Sequence, residues 1–312
     1  MADPTPDRLM RIAVSGSTGL VGSALCERLK QQGRDIRPIV RGNAGGDKEI
    51  LWDTEHQSFD TNALADCDAV VHLAGEGIMG RWTDEKKQRV RDSRVRSTHA
   101  LAATLAGLSN GPRTLIVASA IGYYGDTGQN EARTEDDPPG DPENDFLADV
   151  CVQWEQAAEP AREAGIRVVH VRIGIVLSPA GGALAAMLPP FKLGLGGVVG
   201  SGKQWMSWVA LTDLARILEY AIDTPEIGGP INAVAPEPAT NREFTKALGK
   251  VLGRPTVLPV PGFAPKLLYG SECADALVLG SIRVVPKRLL DAGFSYQFAD
   301  LDEALHHELA RA

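Results

Sequence analysis

Residues 11–14 form a short apolar run, Arg11-Ile12-Ala13-Val14, which stops at Ser15-Gly16 as a buried strand does before a tight turn. Across residues 20–32 the apolar side chains fall at Leu20, Val21, Ala24, Leu25 and Leu29, a helical spacing that Gly33 ends. Residues 36–40 read as a second strand, and 49–52, 69–74, 114–119 and 168–173 as further ones. Residues 83–108 predict a long helix, charged at first and then rich in Ala and Leu; 146–164 predict another. Strands alternating with helices imply right-handed βαβ units and a parallel sheet covered on both faces.

The alternation loosens after Leu177, where Gly181, Gly182, Gly194, Gly196, Gly197, Gly200 and Gly202 mark an irregular, turn-rich region. Residues 211–222 return to a helix with Thr212 or Asp213 near its start, and 240–252 predict a helix capped by Thr240 or Asn241. Beyond Arg254 come Pro255, Pro259, Pro261 and Pro265. The expected architecture is α/β: a Rossmann-type doubly wound parallel sheet over 10–180, rejoined by 205–235. A smaller, interleaved C-terminal substrate lobe takes 181–204 and 236–312.

Composition narrows the classes. A net charge of -8 argues against binding nucleic acid, which needs a basic surface. No apolar run reaches the length of a membrane span, and the amino terminus shows no secretory pattern, so a cytoplasmic location is expected. Cys26, Cys67, Cys151 and Cys273 lie far apart with no Cys-x-x-Cys pair and read as reduced thiols. His56, His72, His99, His170, His306 and His307 lack metal-ligand spacing, and no metal is expected.

Gly16-Ser17-Thr18-Gly19-Leu20-Val21-Gly22 joins the first strand to the first helix. One glycine makes the turn, one admits a pyrophosphate to the backbone, and one lets helix and strand pack closely. Backbone N–H groups and the positive end of the helix then hold phosphate. The second strand ends Ile39-Val40-Arg41, 19 positions after Gly22, with no acid at its tip. Asp35 precedes that strand, at the wrong end of the sheet to grip a ribose. Arg41 therefore favours the 2′-phosphate of NADP over NAD.

Beside this loop, Val71-His72-Leu73-Ala74-Gly75 resembles a strand end of extended short-chain dehydrogenases/reductases. Gly75-Glu76 with Arg81-Trp82, Ser93-Arg94, Ser119-Ala120-Ile121-Gly122-Tyr123-Tyr124-Gly125 and Trp154-Glu155 narrow the match. So do residues 193–197, 204–208, 232–236 and Gly293-Phe294. Together they resemble the sugar-nucleotide epimerase-like family of atypical short-chain dehydrogenases, over nearly the whole chain. The resemblance implies a small C-terminal domain from about Arg254. It also implies NADP contacts at Gly16, Ser17, Thr18, Gly19, Leu20, Val21 and Gly22, with Val40 and Arg41 around the 2′-phosphate. Leu73, Ala74 and Gly75 would line the adenine side, Val176 the nicotinamide side, and Arg94 the phosphate-bearing end or merely a solvated helix face.

Active members of that superfamily use Ser/Thr, Tyr and Lys, the last two four residues apart on one helix. The matching helix here places Leu147 and Cys151 at those positions, or Phe146 and Val150 in the neighbouring register. Neither register supplies a Tyr-Lys pair. Ser119 matches the hydroxyl position, unless Ala120 does. Tyr123 and Tyr124 lie just beyond, where they either replace the missing phenol or pack the loop against the cofactor. Trp205 and Trp208 could stack on a ring or cover the cleft. Glu155 and Asp213 read as a helix-face charge and an N-terminal cap. Two functions remain open. One is an oxidoreductase or epimerase acting on a nucleotide sugar or small carbonyl compound; the other is an NADP(H)-binding module without turnover, which could serve as a redox-sensing, partner-binding protein.

Overall fold

The computed structural model describes residues 9–42, 46–129 and 131–310. The first half contributes β1 (Arg11–Ser15), α1 (Leu20–Gln31), β2 (Asp35–Arg41), β3 (Ile50–Asp53), β4 (Ser58–Phe59) and α2 (Thr61–Ala65). Then come β5 (Ala69–His72), α3 (Asp84–Ala106), β6 (Thr114–Ala120), a 3₁₀ turn (Ile121–Tyr124), α4 (Phe146–Gln156) and α5 (Glu159–Glu163). After β7 (Arg167–Ile173) and β8 (Ile175–Leu177) the chain forms α6 (Gly182–Lys192), β9 (Trp205–Met206), β10 (Trp208–Ala210), α7 (Leu211–Asp223) and β11 (Gly229–Ala233). The remainder is β12 (Ala239–Thr240), α8 (Asn241–Leu252), α9 (Phe263–Tyr269), α10 (Ser271–Ala274), a π turn (Asp275–Leu279), α11 (Lys287–Asp291) and α12 (Leu301–Ala310).

The main sheet has the order β11-β7-β6-β5-β1-β2-β3-β4, and every pairing is parallel except β3 with β4. From β1 the chain winds outward through β2 and β3, then crosses back to β5. The crevice between β1 and β5 is thus the switch point where such sheets bind ligands. One face is covered by α1 and α7, whose Leu25, Leu29, Leu214, Ile217 and Leu218 share a core with Ile12, Val14 and Val71. The other face carries Leu101 and Leu105 of α3 with Trp154 and Ala161, over Val70, Leu115 and Val117. A further core gathers Leu184 and Phe191 of α6, Trp208, Phe244 and Leu248 of α8, and Leu305 of α12.

Several local expectations change. The helix expected over 146–164 breaks after Gln156, because Pro160 has no N–H to offer the Gln156 carbonyl and opens α5 instead. The strand expected to reach Ala74 ends at His72; the Leu73 and Ala74 N–H groups turn to Ser15 Oγ, at 3.1 and 3.2 Å. The glycine-rich region contains a helix, α6, held by its buried Leu184, Leu188 and Phe191. Asp35 is the first residue of β2 rather than preceding it, and it lies at the amino end, bound to Arg37 and Lys48. Thr240 caps α8 in a full capping box with Glu243.

Asp213 is not the cap of α7. Ala210 holds that position without a side-chain bond, and Asp213 lies fully buried in the first turn. Its carboxylate accepts from the backbone N–H groups of Gln297 and Phe298 at 2.9 and 2.8 Å, tying the C-terminal segment to the sheet domain.

Candidate cofactor and substrate cleft

Gly16 turns at φ +67°, and a Cβ there would stand 3.0 Å from the Ala74 nitrogen and the Leu73 carbonyl. The β1 turn and the end of β5 therefore touch backbone to backbone across the switch point. The Gly19 N–H closes the turn onto the Gly16 carbonyl at 3.0 Å. A Cβ on Gly22 would run into that same carbonyl oxygen, so the first turn of α1 packs directly on the loop. Helix α1 starts at Leu20 with no side-chain cap and no acid in its first turn, which leaves its positive end unneutralised. Thr18 and Gly19 are exposed, Ser17, Leu20 and Val21 half-buried. Such a cradle, closed to any side chain and open at a helix start, fits a diphosphate.

Behind the cradle runs a buried polar chain that sequence reading missed. Ser15 Oγ lies 2.7 Å from His72 Nδ1, and His72 Nε2 lies 3.1 Å from Ser97 Oγ. Ser97 donates to the Ser93 carbonyl, so it accepts from Nε2–H, and Ser15 donates to Nδ1. Burial pushes the His72 pKa down to about 4, keeping the ring neutral. The signal was legible: Ser15 and His72 interrupt otherwise apolar strands.

Arg41 ends β2 opposite Trp52, exposed, with half-buried Val40 before it. Val176 pairs with Val209 across β8 and β10. The chain from β8 reaches Gly181, where a Cβ would stand 3.6 Å from the Leu20 side chain, so this segment packs beside the phosphate turn.

The residues matched to the proton-transfer positions take a different arrangement. Ser119 is buried and donates to Glu155 Oε1 at 2.8 Å. Glu155 is not a helix-face charge: it receives Arg172 Nε and Nη2, both at 2.8 Å. Arg172 Nη1 reaches the Tyr124 hydroxyl at 2.8 Å, which in turn donates to Asn232 Oδ1 at 2.8 Å. Burial pushes the Tyr124 pKa up to about 12. Although burial opposes its charge, the bonds to Glu155 leave the Arg172 pKa raised. Tyr123 is half-buried, with the Arg172 guanidinium 3.4 Å from its ring centroid, and burial raises its pKa as well. The charged Arg172 inside an apolar strand was the sequence signal for this network.

Ala120, the residue after Ser119, is partly exposed. A Cβ on Gly122 would stand 3.2 Å from Leu147 Cβ and 3.8 Å from Cys151 Sγ, so the loop after β6 packs against the positions where a Tyr-Lys pair would stand. Burial pushes the Cys151 thiol up to about 12, far from a thiolate. Beside Gly122, a small surface opening is lined by Asp126, Asp145 and Leu147, and from the C-terminal segment by Asp275 and Ile282. Trp208 is buried in the core and cannot stack on a ligand; Trp205 is half-buried under Arg283, 4.3 Å from its ring centroid. Among the described residues no helix is long and apolar enough to cross a membrane.

A parallel sheet with a glycine-lined switch point defines a Rossmann-type nucleotide-binding protein of the short-chain dehydrogenase/reductase kind. The chain belongs to the NAD dependent epimerase/dehydratase family, whose profile matches residues 12–234, and residues 260–308 match a domain of unknown function, DUF1731. It is 43% identical over 301 residues to the epimerase family protein MT2273 of Mycobacterium tuberculosis, covering 96% of this chain and 98% of that one. The crystal structure of human epimerase family protein SDR39U1 with NADPH superposes with a TM-score of 0.86 at 33% identity, over 97% of this chain and 100% of that one. A nucleoside-diphosphate sugar epimerase from Corynebacterium glutamicum superposes at 0.79 with 36% identity, over 97% of this chain and 59% of that one.

Proposed function

We propose that the chain binds NADP(H) in the switch-point crevice and acts as an oxidoreductase or epimerase on a small carbonyl compound or nucleotide sugar, by a proton path other than Tyr-x-x-x-Lys. The observation that carries the reading is the Gly16 turn meeting the backbone of Leu73 and Ala74 at the open start of α1. The NADPH-bound human relative supports the choice of nucleotide.

Gly16, Ser17, Thr18, Gly19, Leu20, Val21 and Gly22 would hold the diphosphate, Val40 and Arg41 the 2′-phosphate end, Leu73, Ala74 and Gly75 the adenine side, and Val176 the nicotinamide side. The bound nucleotide supplies a hydride-exchanging carbon. The chain's own contribution is to orient that ring and to exclude water. Tyr123, its ring under Arg172, is the phenol nearest the surface of this loop. Its raised pKa makes it a hydrogen-bond donor rather than a base. A cytoplasmic setting suits the four free, buried cysteines. The substrate lobe would comprise 181–204 and 236–312.

A panel of carbonyl compounds and nucleotide sugars, followed by NADPH absorbance and by the stereochemistry of the recovered sugar, tests the reading; NADPH oxidation or an epimerised product that depends on one substrate class supports it. The burial of the Ser119 and Tyr124 hydroxyls favours a second reading, a nucleotide-binding module without turnover. That reading requires NADPH to protect residues 236–312 from protease while no substrate is reduced, oxidised or epimerised.

A further inference from the structure

We propose that an outer strip of the C-terminal lobe, running from Leu193 to Leu268, docks the chain on an anionic lipid bilayer. The role is independent of the nucleotide reading, and it seats the chain on a membrane surface rather than through it.

Two segments build the strip. Residues 193–200 leave α6 and run beside residues 254–260. A Cβ on Gly194 would stand 4.0 Å from Pro255 Cδ, and Gly197 bridges Val257 in antiparallel register. The Val260 N–H donates to the Val198 carbonyl at 2.8 Å. Pro261 and Gly262 then lead directly into α9. Along this path Leu193, Val257, Phe263, Leu267 and Leu268 are each at least 69% exposed. Large apolar side chains are ordinary on a surface when scattered singly, but a continuous run of them marks an interaction face.

Helix α9 is turned inside out. Of its seven residues only Pro265 is buried, while Phe263 and Leu267, four apart on one side, stand in solvent. A helix that had found its partner within the chain would bury that side.

Charge identifies the occupant. The whole chain stands at -8, yet residues 192–203 and 242–266 hold seven lysines and arginines against one acid, Glu243. Lys192 and Arg254 flank the end where Gly194 meets Pro255. Lys203 and Arg242 flank the other, where a Cβ on Gly202 would stand 3.3 Å from Arg242 Cβ. All four are exposed, and none has an acidic partner among the described residues. Glu243 is engaged in the capping box of α8. Apolar side chains inside a basic margin match the acyl chains and anionic headgroups of a bilayer surface. A second copy of this chain would set two such basic margins against each other around a two-fold axis. The remainder of the chain is net acidic, so the same lipids repel it and leave the strip to face them.

The test is co-sedimentation of the full chain with vesicles of phosphatidylcholine alone, or of phosphatidylcholine mixed equally with phosphatidylglycerol. The parent is expected to sediment with the anionic vesicles and to stay in solution with the neutral ones. Phe263→Ser with Leu267→Ser should weaken vesicle binding at least about tenfold. Lys192→Glu with Arg254→Glu should weaken it at least about thirtyfold. Urea midpoints matching the parent verify folding, and one folded pair decides the question if the other pair unfolds. The proposal is overturned if the parent ignores anionic vesicles, if it takes neutral ones equally well, or if a folded variant pair binds as the parent does. Dimers that Phe263→Ser with Leu267→Ser abolishes, in a parent that binds no vesicles, would overturn it in favour of a contact between copies.

Discussion

Arg172 and Glu155 meet through two parallel hydrogen bonds of 2.8 Å inside the protein, and this pair holds the loop after β6 in place. Glu155 receives the Ser119 hydroxyl on one side, while Arg172 holds the Tyr124 hydroxyl and covers the Tyr123 ring on the other. Removing one partner leaves an unpaired buried charge. Glu155→Ala should therefore destabilise the fold by about 3–5 kcal/mol in urea denaturation. A Glu155→Leu, Arg172→Met double variant should lose much less than the sum of its single changes.

Asp213 fixes the C-terminal segment through the Gln297 and Phe298 N–H groups. Asparagine would turn an amide donor towards one of those donors. Asp213→Asn should cost about 2 kcal/mol, and hydrogen exchange should rise first at residues 295–300.

The His72 ring is fully buried between Ser15 and Ser97, with its pKa lowered to about 4 from an ordinary 6.5. Between those values the unfolded chain binds a proton that the folded chain refuses. The stabilising effect is complete above pH 6.5 and is lost as pH falls towards 4, amounting to roughly 3 kcal/mol. His72→Asn should flatten the slope of stability against pH over that window, measured by urea denaturation at pH 7, 5.5 and 4.5.

Gly22 packs its Cα on the Gly16 carbonyl. Gly22→Ala must push helix and loop apart, at about 1–3 kcal/mol in stability. NADPH binding should fall about a hundredfold, read by nucleotide fluorescence.

The alternation of strands and helices was readable because β1, β5 and β6 are nearly unbroken apolar runs, as strands buried on both faces must be. The glycine spacing located the turn between β1 and α1 because Gly16 and Gly22 each answer a local backbone demand. What local pattern could not show is partnership across the chain. Glu155 has the helical position of a surface charge until Arg172, 17 residues on, is folded against it. Asp213 looks like a cap until residues 297 and 298 arrive. The Leu147 and Cys151 substitutions were legible as a missing Tyr-Lys pair. That Arg94 lies over the Trp154 ring depends on how α3 packs against α4.

The most direct measurement of the central claim is calorimetry of NADPH and NADH into the purified parent and Arg41→Asp. The account predicts that the parent takes NADPH at least about tenfold more tightly than NADH, and that Arg41→Asp loses most of this preference while retaining NADH. Folded parent protein that gives no heat with either nucleotide, or a variant with unchanged preference, would contradict it.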